Sequence, residues 1–126
     1  MGDDDYLPAR GIKLILENFL KSNGWRYEDA SVKNPGVDIA AKRGAQRWVI
    51  EIKDSESITH AVLDSFVSVI GEILQRMDDD DCKYSIALAD TKPFRRLWER
   101  LPKLAKSRTQ ITALFVNPEG TVIERF

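Results

Sequence analysis

The sequence predicts one α/β domain, a mixed central sheet flanked by helices. Three observations carry that expectation. Apolar residues recur at helical spacing in separate stretches, and short β-branched runs bounded by Gly, Pro or Asn lie between them. The length, 126 residues with 43% hydrophobic content, suffices for a single core and leaves no room for a second domain. The expected order is helix, three strands, helix, strand, then a C-terminal helix and a hairpin.

Each element has a local cause. Residues 1–7, with the acidic run Asp3 to Asp5, are expected to be irregular. From Ala9 to Ser22, Ile12, Ile15, Leu16 and Phe19 fall on one helical face; Pro8 suits the start and Asn23-Gly24 the C-terminal cap. Trp25 to Val32 alternates loosely, as a strand does. Gly36 to Ala41 and Arg47 to Lys53 form two further strands, with Pro35-Gly36 before them and Gly44-Ala45 as the turn between. Ser57 suits the N-cap of a long helix lined by Val62, Phe66, Val69, Ile70, Ile73, Leu74 and Met77 and ending at Asp78 to Asp81. Lys83 to Ala89 is short, apolar and β-rich, as a buried strand should be. Pro93 opens a helix with Phe94, Leu97, Trp98, Leu101 and Leu104 on one face, which Pro102 bends or divides. Ile111 to Val116 and Thr121 to Glu124 are strands around the turn Asn117-Pro118-Glu119-Gly120.

The chemistry concentrates in the two central strands. Side chains alternate along a strand, so Glu51 and Lys53 share a face with Val49, while Trp48, Ile50 and Ile52 take the other. The hairpin brings Asp38 beside them. Charges set among so many apolar residues are costly to desolvate without partners, and two facing carboxylates repel. A metal ion or a shared proton relieves the repulsion. The lysine beside them favours the metal, and carboxylate oxygens are hard ligands suited to Mg²⁺.

This Asp-x(12)-Glu-x-Lys pattern resembles the PD-(D/E)xK nuclease superfamily, also called restriction-endonuclease-like, whose αβββαβ core has the same element order as most of this chain. The resemblance implies that Asp38 and Glu51 are metal ligands, with the Ile52 carbonyl a further donor, and that Lys53 is the catalytic lysine. Glu17, on the preceding helix, matches the additional acid that many members carry. Val37 stands where the motif has its proline, and no Gln-x-x-x-Tyr of the exonuclease branch follows Lys53. The implied activity is hydrolysis of a DNA phosphodiester with Mg²⁺, for which Mn²⁺ can substitute. So small a domain carries little surface for sequence recognition, so specificity is expected from DNA structure, from a partner protein or from a homodimer. The alternative is a non-catalytic nucleic-acid-binding or accessory protein of a defence or mobile-element system built on the same scaffold.

Charge is informative in its distribution. Between Lys92 and Arg108 lie seven basic residues against Glu99 alone, although the chain as a whole carries −1 and has a pI near 5.9. Arg96, Arg100 and Lys103, at i, i+4 and i+7, form a candidate stripe for a phosphate backbone; the alternative is a solvated helix face, with binding then expected near Lys13, Lys42, Arg43 or Arg47. One Cys and one His, Cys82 and His60, exclude a disulfide and a Cys/His zinc site, and leave Cys82 as a thiol in a reducing compartment. The Asp78 to Asp81 run lacks the glycine and distal Glu of an EF-hand and reads as a solvated turn. His60 reads as a surface residue, and Asp54 and Glu56, just past Lys53, as acids within reach of an outer water of the metal. No apolar run approaches the ~18 residues of a membrane span, and the acidic start is unlike a secretory signal. A cytoplasmic protein without membrane contact is expected.

Overall fold

The structure is a computed structural model and describes residues 7–28, 38–54 and 61–126. The acidic start at Asp3 to Asp5, the end of the expected first strand, Pro35 to Val37, Glu56, the Ser57 cap and His60 lie outside the described residues. The elements are α1 (Ala9–Ser22), β1 (Arg26–Glu28), β2 (Ile39–Arg43), β3 (Gln46–Lys53), α2 (Ala61–Arg76), β4 (Cys82–Ala89), α3 (Lys92–Arg100), α4 (Lys103–Thr109), β5 (Thr112–Val116) and β6 (Val122–Arg125). The first six reproduce the αβββαβ order, and the last four supply the C-terminal helical segment and hairpin.

The six strands form one mixed sheet in chain order. β1, β2 and β3 are antiparallel, β3, β4 and β5 are parallel, and β6 returns antiparallel at the far edge. Arg43 pairs with Gln46, leaving the two-residue turn Gly44-Ala45, of which only Gly44 has positive φ, at 62°. That is the II′ pattern, whose twist matches the flanking strands. The turn fixes the β2–β3 register and so sets Asp38 against Glu51.

Alternation divides the core in two. Ile39, Ala41, Trp48, Ile50, Ile52, Ala87, Ala89, Leu114 and Val116 pack under α1 through Ile12, Leu16 and Leu20. Val49, Tyr84, Ile86, Leu88, Ala113 and Phe115 pack under α2 and α3 through Phe66, Val69, Ile73, Phe94 and Trp98. Glu51 and Lys53 share the parity of Val49, so they face α2.

Two expected core positions are corrected. Leu74 is 45% exposed, because it lies on the flank of α2 with exposed Leu63 and Val67, away from the row Phe66, Val69 and Ile73. Leu104 is 62% exposed: Pro102 divides the helix, and α4 begins with a new rotational phase that no longer continues the apolar face of Phe94 and Trp98.

Candidate metal centre

The β2–β3 ladder begins at Ile39, paired with Ile50. One step outward, side chains take over from the backbone. The Asp38 N–H donates to Glu51 Oε2 at 2.9 Å, and the Ile52 N–H donates to Asp38 Oδ2 at 2.8 Å. Each carboxylate thus satisfies a backbone donor of the opposite strand and is held in a fixed orientation. Across the gap, α2 presents Ser68, Glu72 and Arg76 at four-residue spacing, one helical row beside its apolar face. Arg76 Nε donates to Glu51 Oε1 at 3.3 Å. Lys53 Nζ and Ser68 Oγ both donate to Glu72 Oε1, at 3.3 and 3.2 Å.

Asp38, Glu51 and Glu72 each bring a carboxylate oxygen within 4.8 Å of the others, the one such acidic group among the described residues. Glu51 is 1% exposed. Burial raises its carboxyl above the ordinary glutamate range and the Asp38 charge adds to this, while the Asp38 N–H and the Arg76 guanidinium oppose it. The three acids face two cations, Lys53 paired with Glu72 and Arg76 paired with Glu51. Hard oxygen donors converging on one point, with one buried and resisting ionisation, suit a small divalent cation.

The sequence-derived set divides accordingly. Asp38, Glu51 and Lys53 converge. Ile52 enters through its N–H, and its carbonyl has no shown role. Glu17 sits on α1, which packs on the other face of the sheet, and is not one of the three converging acids. It relates to Asp38 through Lys13, whose ammonium is raised first by a hydrogen bond with Tyr27, with the charges of Glu17 and Asp38 adding to the effect. Glu72 and Arg76 were not expected from the sequence; the four-residue row that includes Ser68 is the signal that could have found them.

Arg96 and Arg100 are exposed on α3, but Lys103 opens α4, so the i, i+4, i+7 stripe does not run along one helix. Burial pushes the Cys82 thiol up. The Asp78 to Asp81 segment is a turn, in which the Asp81 N–H donates to Asp79 Oδ1.

No family model matches the chain, and no curated protein matches it. Solved structures share its fold, two of them as follows. An XisH family protein from Nostoc punctiforme is 18% identical, and an fdxN element excision controlling factor protein from Anabaena variabilis is 23% identical. Each alignment covers 89% of this chain and 95% of the other, with a TM-score of 0.53. Among the described residues, no helix is long and apolar enough to cross a membrane.

Proposed function

We propose that this chain is a metal-dependent phosphodiester hydrolase of the PD-(D/E)xK type acting on DNA. The observation that carries the reading is the convergence of Asp38, Glu51 and Glu72 with Lys53 held 3.3 Å from Glu72. Asp38, Glu51 and Glu72 would hold Mg²⁺ or Mn²⁺, with the Ile52 carbonyl a further donor. Such an ion, when bound, supplies polarisation of phosphoryl oxygens and a water of lowered pKa.

The chain's own groups have separable tasks. The backbone N–H groups of Asp38 and Ile52 fix the two strand carboxylates before any ligand arrives. Arg76 balances the buried Glu51. Lys53, a compact cation beside the acids, is placed to stabilise charge growing on a phosphate. Glu72 Oε1 accepts from both Lys53 and Ser68, so a Glu72 that held a cation would leave Lys53 available to the substrate. Glu17 and Asp38 both lend charge to the surroundings of Lys13, and Arg96, Arg100 and Lys103 offer contacts to the backbone away from the centre.

A second reading, a non-catalytic accessory factor of DNA excision, draws on the excision controlling factor among the fold neighbours. The inward pairing of Glu51 with Arg76 and Lys53 with Glu72 also fits a structural charge cluster. Nicking of supercoiled plasmid with Mg²⁺ or Mn²⁺, abolished by chelator, supports the hydrolase. Binding without cleavage under either metal supports the accessory factor.

A further inference from the structure

Arg26 on β1 lies directly opposite Lys42 on β2, and Lys42 lies directly opposite Arg47 on β3. Residues so placed have Cβ atoms roughly 5 Å apart and share a face, and like charges there destabilise the sheet. Arg47 is met by Glu28 at 3.4 Å and by Asp79 at 4.0 Å. Arg26 and Lys42 are exposed and have no carboxylate partner among the described residues. Glu28 and Asp79 thus answer Arg47, while Arg26 and Lys42 face each other without an ion pair of their own among the described residues.

The face matters as much as the charge. Lys42 is four residues from Asp38 along β2, and Arg47 four from Glu51 along β3, so the basic row shares a face with the acidic cluster. At a rise of about 3.3 Å per residue the separation is about 13 Å, or roughly four base steps at ~3.4 Å each.

We propose that Arg26 and Lys42, with Arg47 anchored behind them, grip the phosphate backbone of a DNA duplex and lead it to the Asp38–Glu51–Glu72 cluster. The proposal rests on the reading of the chain as a DNA-directed domain. It places a backbone contact about four nucleotides to one side of the phosphate at the cluster. A phosphate between two opposed cations offsets the repulsion that the free sheet bears.

The test is the affinity of a short fluorescent duplex of mixed sequence, measured by anisotropy at several salt concentrations without divalent metal. The variants are Arg26→Gln/Lys42→Gln and, separately, Lys42→Arg. The double variant should lower the log–log salt slope by roughly 1.8, two contacts at about 0.9 each. Lys42→Arg should keep the wild-type slope. The Tm of the double variant should equal or exceed wild type, since a repulsion is removed. Should the double variant fold poorly, Lys42→Gln alone should lower the slope by about 0.9. An unchanged slope overturns the proposal and leaves Arg26 as a guard of the β1 edge against strand pairing and Lys42 as a solvated charge. Failure of the wild-type protein to bind duplex overturns it as well. Metal is absent throughout, so loss of the hydrolase reading, seen as no cleavage, leaves this outcome independent.

Discussion

Glu51 shows how much a single residue can decide. It is 1% exposed on the α2 side of the sheet, and burial raises its carboxyl first, with Asp38 adding to the effect. A carboxyl raised on folding takes up a proton between its unfolded and folded values, so its contribution to stability declines as pH rises through that window. The ionised form is also the one that attracts a cation. Mn²⁺ should therefore bind more weakly as pH falls, by up to tenfold per pH unit below the raised Glu51 value, and should lift Tm more at about pH 8 than at about pH 5. Calorimetric titration across that range checks the direction; affinity that is flat or that increases with acid removes Glu51 from the ligand set. Lys53 separates from it cleanly. Lys53→Ala should cut turnover by about 10²-fold or more with Mn²⁺ affinity nearly unchanged, because an ammonium has no lone pair for the ion. Lys53→Arg should recover only part of the rate, since a planar guanidinium is not a compact point charge. Nicking rates set beside calorimetry would show this, and a large loss of metal affinity in Lys53→Ala would make the lysine structural. Asp38, Glu51 and Lys53 were legible in the sequence because a strand's period of two and a two-residue turn fix their relation locally. Glu72 and Arg76 were not: they arrive from a helix, through packing that no strand periodicity encodes.

At the scale of elements, β3 to β6 are tied by a row of polar side chains on the α1 face. The Trp48 Nε1–H donates to Ser85 Oγ at 2.9 Å, Ser85 and Thr112 hydroxyls are 2.5 Å apart, and Thr112 Oγ1 donates to Glu124 at 2.8 Å. An indole N–H only donates and an ionised carboxylate only accepts, so the chain runs one way: Ser85 donates to Thr112. Lys83 closes it, 2.7 Å from Glu124 and 4.1 Å from the Trp48 ring centroid. Thr112→Val strands Ser85 and deprives Glu124 of a donor, and should cost about 1–3 kcal/mol by chemical denaturation. A variant as stable as wild type would mean that the row is incidental. The division at Pro102 was legible because proline cannot continue a helix, whereas the exposure of Leu104 was not, since the phase of the following helix depends on the turn. That break also limits the basic stripe. Arg96→Gln with Arg100→Gln should reduce the DNA salt slope independently of Lys103→Gln, about 0.9 for each residue that touches phosphate. An unchanged slope makes them a solvated face.

For the whole molecule, the αβββαβ order was legible because helical and strand periods alternate cleanly along the chain, and the fold neighbours share that architecture over most of its length. The two-sided core explains why the centre lies where it does: α1 closes one face of the sheet, and α2 closes the other while carrying Glu72 and Arg76 to the edge of β3. Basic and acidic side chains then share one face across β1, β2 and β3, the face on which the proposed function and the proposed DNA contact both depend. Anomalous diffraction from a crystal soaked with Mn²⁺ tests the central claim most directly. The account predicts a peak about 2–2.2 Å from oxygens of Asp38 and Glu51, with Glu72 turned toward it and Lys53 released from Glu72. No peak there, or a peak confined to the Asp78 to Asp81 turn, would contradict it.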